Sequence, residues 1–143
     1  MTSEMMRMKE YLSEIRIIKT KIERKQERLK ELEDRAVYTT TAFGGVGVSH
    51  GYDNRRENLL IKLMDNKAEL LHEIADMTER QDKIYNMIDS IKDPDVYKVM
   101  ANKYIYGYDW DTMACSMGKS LQWCHELHRR GLAHLCNNYK IPA

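Results

Sequence analysis

Two groups of residues near the C-terminal end of the chain have the types and spacing for chemistry. The first is His125, His128 and His134 with Cys124 and Cys136, and Cys115 a little earlier. Imidazoles and thiolates bind zinc, and Cys124 and His128 lie four residues apart, a spacing that lets one helix offer both to a single ion. No CxxC knuckle accompanies them, and position 124 falls where local packing calls for a small apolar residue. The expectation is therefore a buried thiol, with no metal and no other cofactor. The second group is Lys119, Ser120, Leu121, Gln122, His125, Glu126, Arg129 and Arg130. With Cys124 and Leu127 turned inward, Leu121, Gln122, His125, Glu126 and Arg129 turn outward. They form either a plain solvated helix face or a surface of amide, imidazole, carboxylate and guanidinium groups aimed at a ligand. No phosphate loop, no nucleophile beside a base and no paired carboxylates outside solvated helix faces occur, so an enzyme is not expected.

The elements that position the second group lie between Tyr104 and Leu132. Trp110 opens a short amphipathic segment with Met113, Ala114 and Met117 on one face, and Gly118 breaks it. Ser120 starts a second helix whose inward positions are Cys124, Leu127 and Gly131. Two helices crossing steeply need a small residue where their axes approach, which suits Ala114, and a residue tolerant of positive φ in the turn, which suits Gly118. Ser120 and Asp109 can each accept a hydrogen bond from an unpaired N–H in the first turn that follows. Gly107 suits a left-handed stop for a helix ending near Tyr106. This is the spacing of a helix-turn-helix.

The order Tyr104, Ile105, Gly107, Trp110, Met113, Ala114, Met117, Gly118, Ser120, Leu127, His128, Leu132 resembles region four of bacterial sigma factors. It is closer to the ArpU-like late transcriptional regulators of Gram-positive phages, whose C-terminal motif has the form RYI-G-SW-EIA-MG-S-V-LH-AL. The likeness is densest over the last third of the chain and extends to the rest in organisation only. Lys103 stands where Arg is usual, Asp109 where Ser is, Cys124 where Val is and Gly131 where Ala is. Glu126 occupies a position where a basic or neutral polar residue facing DNA is usual.

The resemblance implies a regulator that binds double-stranded promoter DNA and switches on late genes, with host RNA polymerase as a further partner. It also implies that the helix starting at Ser120 enters the major groove by its N-terminal half. Gln122 then suits adenine, Arg129 a guanine or a phosphate, Glu126 a cytosine amine and Leu121 a thymine methyl. Lys119, Ser120 and Arg130 suit phosphates, which position without reading sequence. His128 matches the histidine of the LH pair, in a structural or phosphate-facing role. The competing expectation is a protein-binding adaptor, without enzymatic activity, that acts on RNA polymerase or another regulator through its helical arm and C-terminal domain.

Composition is consistent with either. The chain has 143 residues, 43% hydrophobic and 31% charged, which suits a helix-rich globular protein better than a disordered one. The net charge of +1 hides a division. Residues 1 to 36 carry 10 Lys and Arg against 8 Asp and Glu, residues 53 to 93 carry 7 against 10, and residues 94 to 143 carry 6 against 4. Nucleic-acid binding must therefore rest on local placement. No apolar run of membrane-spanning length occurs, and the N-terminus is charged from Glu4 onward. A cytoplasmic protein of a bacterial host is expected, with no membrane contact. Three cysteines, an odd number, fit that reducing compartment.

From Ser3 to Arg35 apolar residues recur every seven positions, at Met8, Ile15, Ile22, Leu29 and Ala36, joined by Tyr11, Ile18 and Leu32. A second such run, Leu63, Leu70, Met77, Ile84 and Ile91 with Leu60, Ile74 and Ile88, spans 55 to 91. Each predicts a long helix with one greasy seam. The seams pair within one chain as an antiparallel hairpin or between two copies as a homodimer, with Lys25, Lys67 and Gln81 as polar interruptions that set register. Residues 37–54, with four glycines and a run of threonines, predict a flexible loop. Asp93 and Pro94 predict a cap and a new helix. The expected architecture is all-α: residues 1–92 as a long antiparallel helical hairpin or dimerising coiled coil, and 93–143 as a three-helix, sigma-region-four-like helix-turn-helix domain.

Overall fold

The structure is a computed structural model that describes residues 1–43 and 50–141, with side chains for 1–39 and 54–141. Among the described residues the regular elements are all helices, with no strand. Five helices follow one another: α1 (Ser3–Phe43), α2 (His50–Asp89), α3 (Pro94–Tyr104), α4 (Trp110–Met117) and α5 (Leu121–Asn138).

Of the loop expected at 37–54, residues 37–43 and 50–54 are helical. Helix α1 continues through Phe43 and α2 begins at His50; the rest of the expected loop, 44–49, lies outside the described residues. The physical reason is that no glycine or proline occurs before Gly44. Threonines cost only a few tenths of a kcal/mol each in a helix that is already nucleated.

The chain forms two compact units, and their boundary is not at residue 93. One unit combines Met1–Lys19 with Glu79–Ala143; the other is Thr20–Thr78. In the first unit the fully enclosed side chains come from all five helices: Met8, Leu12 and Ile15 of α1, Ile84 and Ile88 of α2, Val99 and Met100 of α3, Met113 of α4, and Cys124, Leu132 and Leu135 of α5. Burial of this set is the main favourable term holding the unit together. At its edge Arg80 pairs with Glu14 and lies 5.9 Å from the Tyr11 ring centroid.

In the second unit Leu32 of α1 packs with Leu63 and Leu70 of α2, with Ala36 against them. Ion pairs join Lys25 to Glu73 at 2.5 Å and Lys67 to Glu33 at 3.3 Å. Numbers rise on one helix as they fall on the other, so the two segments are antiparallel here. The lysines that interrupt the seams thus reach carboxylates on the opposite helix.

Turn chemistry follows the residue types. Asp93 accepts from the N–H groups of Asp95 and Val96 at 2.9 and 3.3 Å, with Pro94 in the first turn where no donor is needed. Gly107 has φ 71°, a backbone sign that favours glycine, and the Arg16 guanidinium lies close against it.

Candidate nucleic-acid interface

Helix α5 begins where its sequence says it should. The Ser120 hydroxyl accepts from the Trp123 N–H at 3.1 Å, and the Asp109 carboxylate does the same for Thr112 at 2.7 Å at the start of α4. That bond holds the Asp109 carboxyl below its usual range. Between the helices Gly118 adopts φ 64°, ψ 33°, and the Lys119 N–H reaches back to the Ala114 carbonyl at 3.1 Å. The left-handed residue ends α4, and α5 begins three positions later with Leu121 and Gln122 exposed.

What anchors α5 is its other face. Cys124, Leu127, His128, Gly131, Leu132 and Leu135 are buried. Gly131 has a reason that spacing did not single out: a Cβ there would sit 2.6 Å from the Met100 sulfur of α3. Helices α3 and α5 pack against each other, and α4 packs against both. Ala114 is half-buried.

The candidate residues are on the surface. Lys119, Ser120, Leu121, Gln122, His125, Arg129 and Arg130 are exposed and Glu126 is half-exposed. Lys119 Nζ lies 5.5 Å from the Trp123 ring centroid. Glu126 has partners on its own helix. Arg129 grips it with two hydrogen bonds, at 3.0 and 3.2 Å, and Arg130 approaches to 3.6 Å. The Arg129 bond holds the Glu126 carboxyl below the usual carboxylate range and raises the Arg129 guanidinium in return. One carboxylate therefore offsets the charge of two arginines on the face expected to attract phosphate.

Two aromatic contacts extend this face. The Trp110 ring lies 4.1 Å from that of His125 and meets His128 edge-on at 5.0 Å, and Lys103 Nζ sits 4.7 Å above it. Trp110 is half-buried and serves as a bridge from α4 to α5. Lys103 and His125 thereby share Trp110 as a neighbour, a link that residues 22 apart in sequence do not reveal.

His128 is buried and bonded to the Tyr104 hydroxyl at 2.5 Å, its ring stacked on the tyrosine at 5.6 Å. Burial first, then the nearby charges of Lys9, Lys103 and His125, push its pKa down to about 4, so the imidazole is neutral at physiological pH. Its role is structural and it does not face outward. Burial also raises the Cys124 thiol, away from the thiolate a metal needs. Among the described residues no three histidine, cysteine or acidic side chains converge as metal ligands would. No helix among them is long and apolar enough to cross a membrane.

The C-terminal helices thus form a capped, well-anchored helix pair with one polar face exposed. In comparisons with known protein families, with curated proteins and with solved structures, the chain matches none.

Proposed function

We propose that this chain is a sequence-specific DNA-binding regulator of transcription, in which α4, the Gly118 turn and α5 act as a helix-turn-helix and a long antiparallel hairpin forms the arm. The observation that carries the reading is the state of the first turns of α5. They start at a capped Ser120, are anchored from behind by Cys124 and Leu127, and leave Leu121, Gln122 and His125 uncovered. A helix so presented can place side chains against base edges in a major groove. Lys119 and Arg130 flank it as phosphate contacts, and Lys103 adds a cation over the Trp110 ring. The resemblance to ArpU-like regulators supplies the rest of the proposal: activation of phage late genes in a bacterial cytoplasm, on promoter DNA and in contact with host RNA polymerase.

Selection of bound duplexes from a random pool, followed by gel-shift titration of the recovered site at two salt concentrations, tests this. Lys119→Ala and Arg129→Ala are expected to weaken binding several-fold and to lower the salt slope by about 1 each. Glu126→Gln, which releases both arginines, is expected to strengthen it. Unchanged affinity in all three variants would remove the face. The Glu126 pairs favour a second reading, an adaptor that docks on RNA polymerase, because arginines already held by a carboxylate attract phosphate less. A pool that yields no enriched motif, together with polymerase retained on the immobilised protein, would replace the first reading with the second.

A further inference from the structure

Helix α2 carries a second apolar row that its contacts with α1 do not use. In the unit formed by Thr20–Thr78, Leu63 and Leu70 are the buried positions of α2. Roughly 130° around the helix at 3.6 residues per turn, Ile61, Met64, Ala68, Leu71, Ala75 and Thr78 follow one another at alternating steps of three and four. Ile61, Met64 and Leu71 are 57, 67 and 46% exposed, large values for side chains of their size. Ala68 and Ala75 are exposed as well, and Thr78 is half-buried. Steps of three and four are the signature of a coiled-coil seam, and no helix among the described residues covers this one.

We propose that two copies of this chain associate through this row, α2 against α2, in antiparallel orientation. The argument for a second copy is the order of sizes. Ile61, Met64 and Leu71 are large; Ala68, Ala75 and Thr78 are small. In an antiparallel pair aligned so that Met64 of one copy meets Ala75 of the other, Ile61 meets Thr78 and Ala68 meets Leu71. All six layers then combine one large and one small residue, which gives even spacing and close approach. A parallel pair would stack Ile on Ile, Met on Met and Leu on Leu between layers of two alanines or two threonines, and would leave gaps. The row is thus complementary to itself under a two-fold axis, as an isologous interface requires.

Polar groups also meet in the same register. Asp65 and His72 flank the row, and the alignment sets Asp65 of one copy beside His72 of the other. His72 already lies 3.4 Å from Asp76 on its own helix. Six layers make a short contact beside the ~800 Å² per partner of a standard stable interface, so the dimer is concentration-dependent, and charges placed in the row abolish it. Nothing in this inference depends on the DNA reading.

Sedimentation equilibrium of the full chain, from micromolar to roughly a hundredfold higher concentration, tests it. The expected result is a monomer–dimer equilibrium, weakened at least tenfold in the Met64→Glu, Leu71→Glu double variant. Unchanged helical circular dichroism in that variant would verify that the fold is kept. A monomer throughout, or a dimer indifferent to the substitutions, overturns the proposal. Orientation is read by disulfide trapping in a Cys115→Ser background. A mixture of Met64→Cys and Ala75→Cys chains should cross-link, whereas Met64→Cys alone should not, because its two copies lie about 16 Å apart along the axis at 1.5 Å per residue. Efficient cross-linking of Met64→Cys alone indicates the parallel pair and overturns the antiparallel assignment.

Discussion

The two units make their cores by different means. In the unit of Met1–Lys19 and Glu79–Ala143, side chains meet neighbours from several helices, and eleven of them are under 2% exposed, among them Leu12, Ile88, Met113 and Leu132. In the unit of Thr20–Thr78 the buried leucines Leu32, Leu63 and Leu70 are 5 to 8% exposed, because two helices can shield only the line along which they touch. The contrast teaches that a helix pair is specified by its seam but not enclosed by it. Its ion pairs, Lys25 with Glu73 and Lys67 with Glu33, are partly exposed and each contributes about 1 kcal/mol or less.

Cavity-forming substitutions test this difference most strongly. Leu132→Ala should cost about 3–5 kcal/mol, at the upper end for buried leucine, whereas Leu70→Ala should cost ~2 kcal/mol because solvent and neighbouring side chains can fill the gap. Urea unfolding of the two variants measures both, and equal losses would break the contrast.

Acid acts next, and through the first unit. The His128 pKa is about 4 when folded against 6.5 as a free side chain, so the unfolded chain binds the extra proton between those values. The stabilising contribution is complete above about pH 6.5 and disappears as pH falls toward 4, a change on the order of 3 kcal/mol. Thermal midpoints across that window should fall less in His128→Gln than in the natural chain, which removes the titrating group. An identical pH profile would show that His128 is not the source.

Smaller still is the cap of α5. Ser120→Ala should cost about 1 kcal/mol of stability. It should also loosen the first turn, visible as faster amide exchange at Gln122 and Trp123. Unchanged exchange there would remove Ser120 from its assigned role.

How much of this was legible beforehand depended on sequence distance. Asp93, Gly107, Asp109, Gly118 and Ser120 were readable because caps and turns are decided by partners within about four residues. The outward set on α5 was readable from periodicity alone. The Glu126 pairs with Arg129 and Arg130 stand at readable spacings too, yet a base-contacting role for Glu126 competed with them. Illegible were contacts between residues far apart: the Tyr104 bond to His128, Met100 against Gly131, Arg16 against Gly107 and Lys103 over Trp110. Each depends on how helices are juxtaposed, which local pattern does not encode. The extension of α1 through Val37 and the threonines was missed because a run of modest helix formers was read as a break.

The turn at Gly118 has a consequence for chemical synthesis. Its φ of 64° is the mirror image of the ordinary helical value, and no atom lies within 4 Å of where a side chain would project. A residue of inverted handedness adopts that backbone angle without strain. D-alanine introduced at this position by ligation of synthetic peptides should stabilise the chain by roughly 0.4–1 kcal/mol, through lost freedom of the unfolded state, while L-alanine should destabilise it. Opposite shifts of the urea midpoint for the two enantiomers would register the stereochemistry of a single backbone angle.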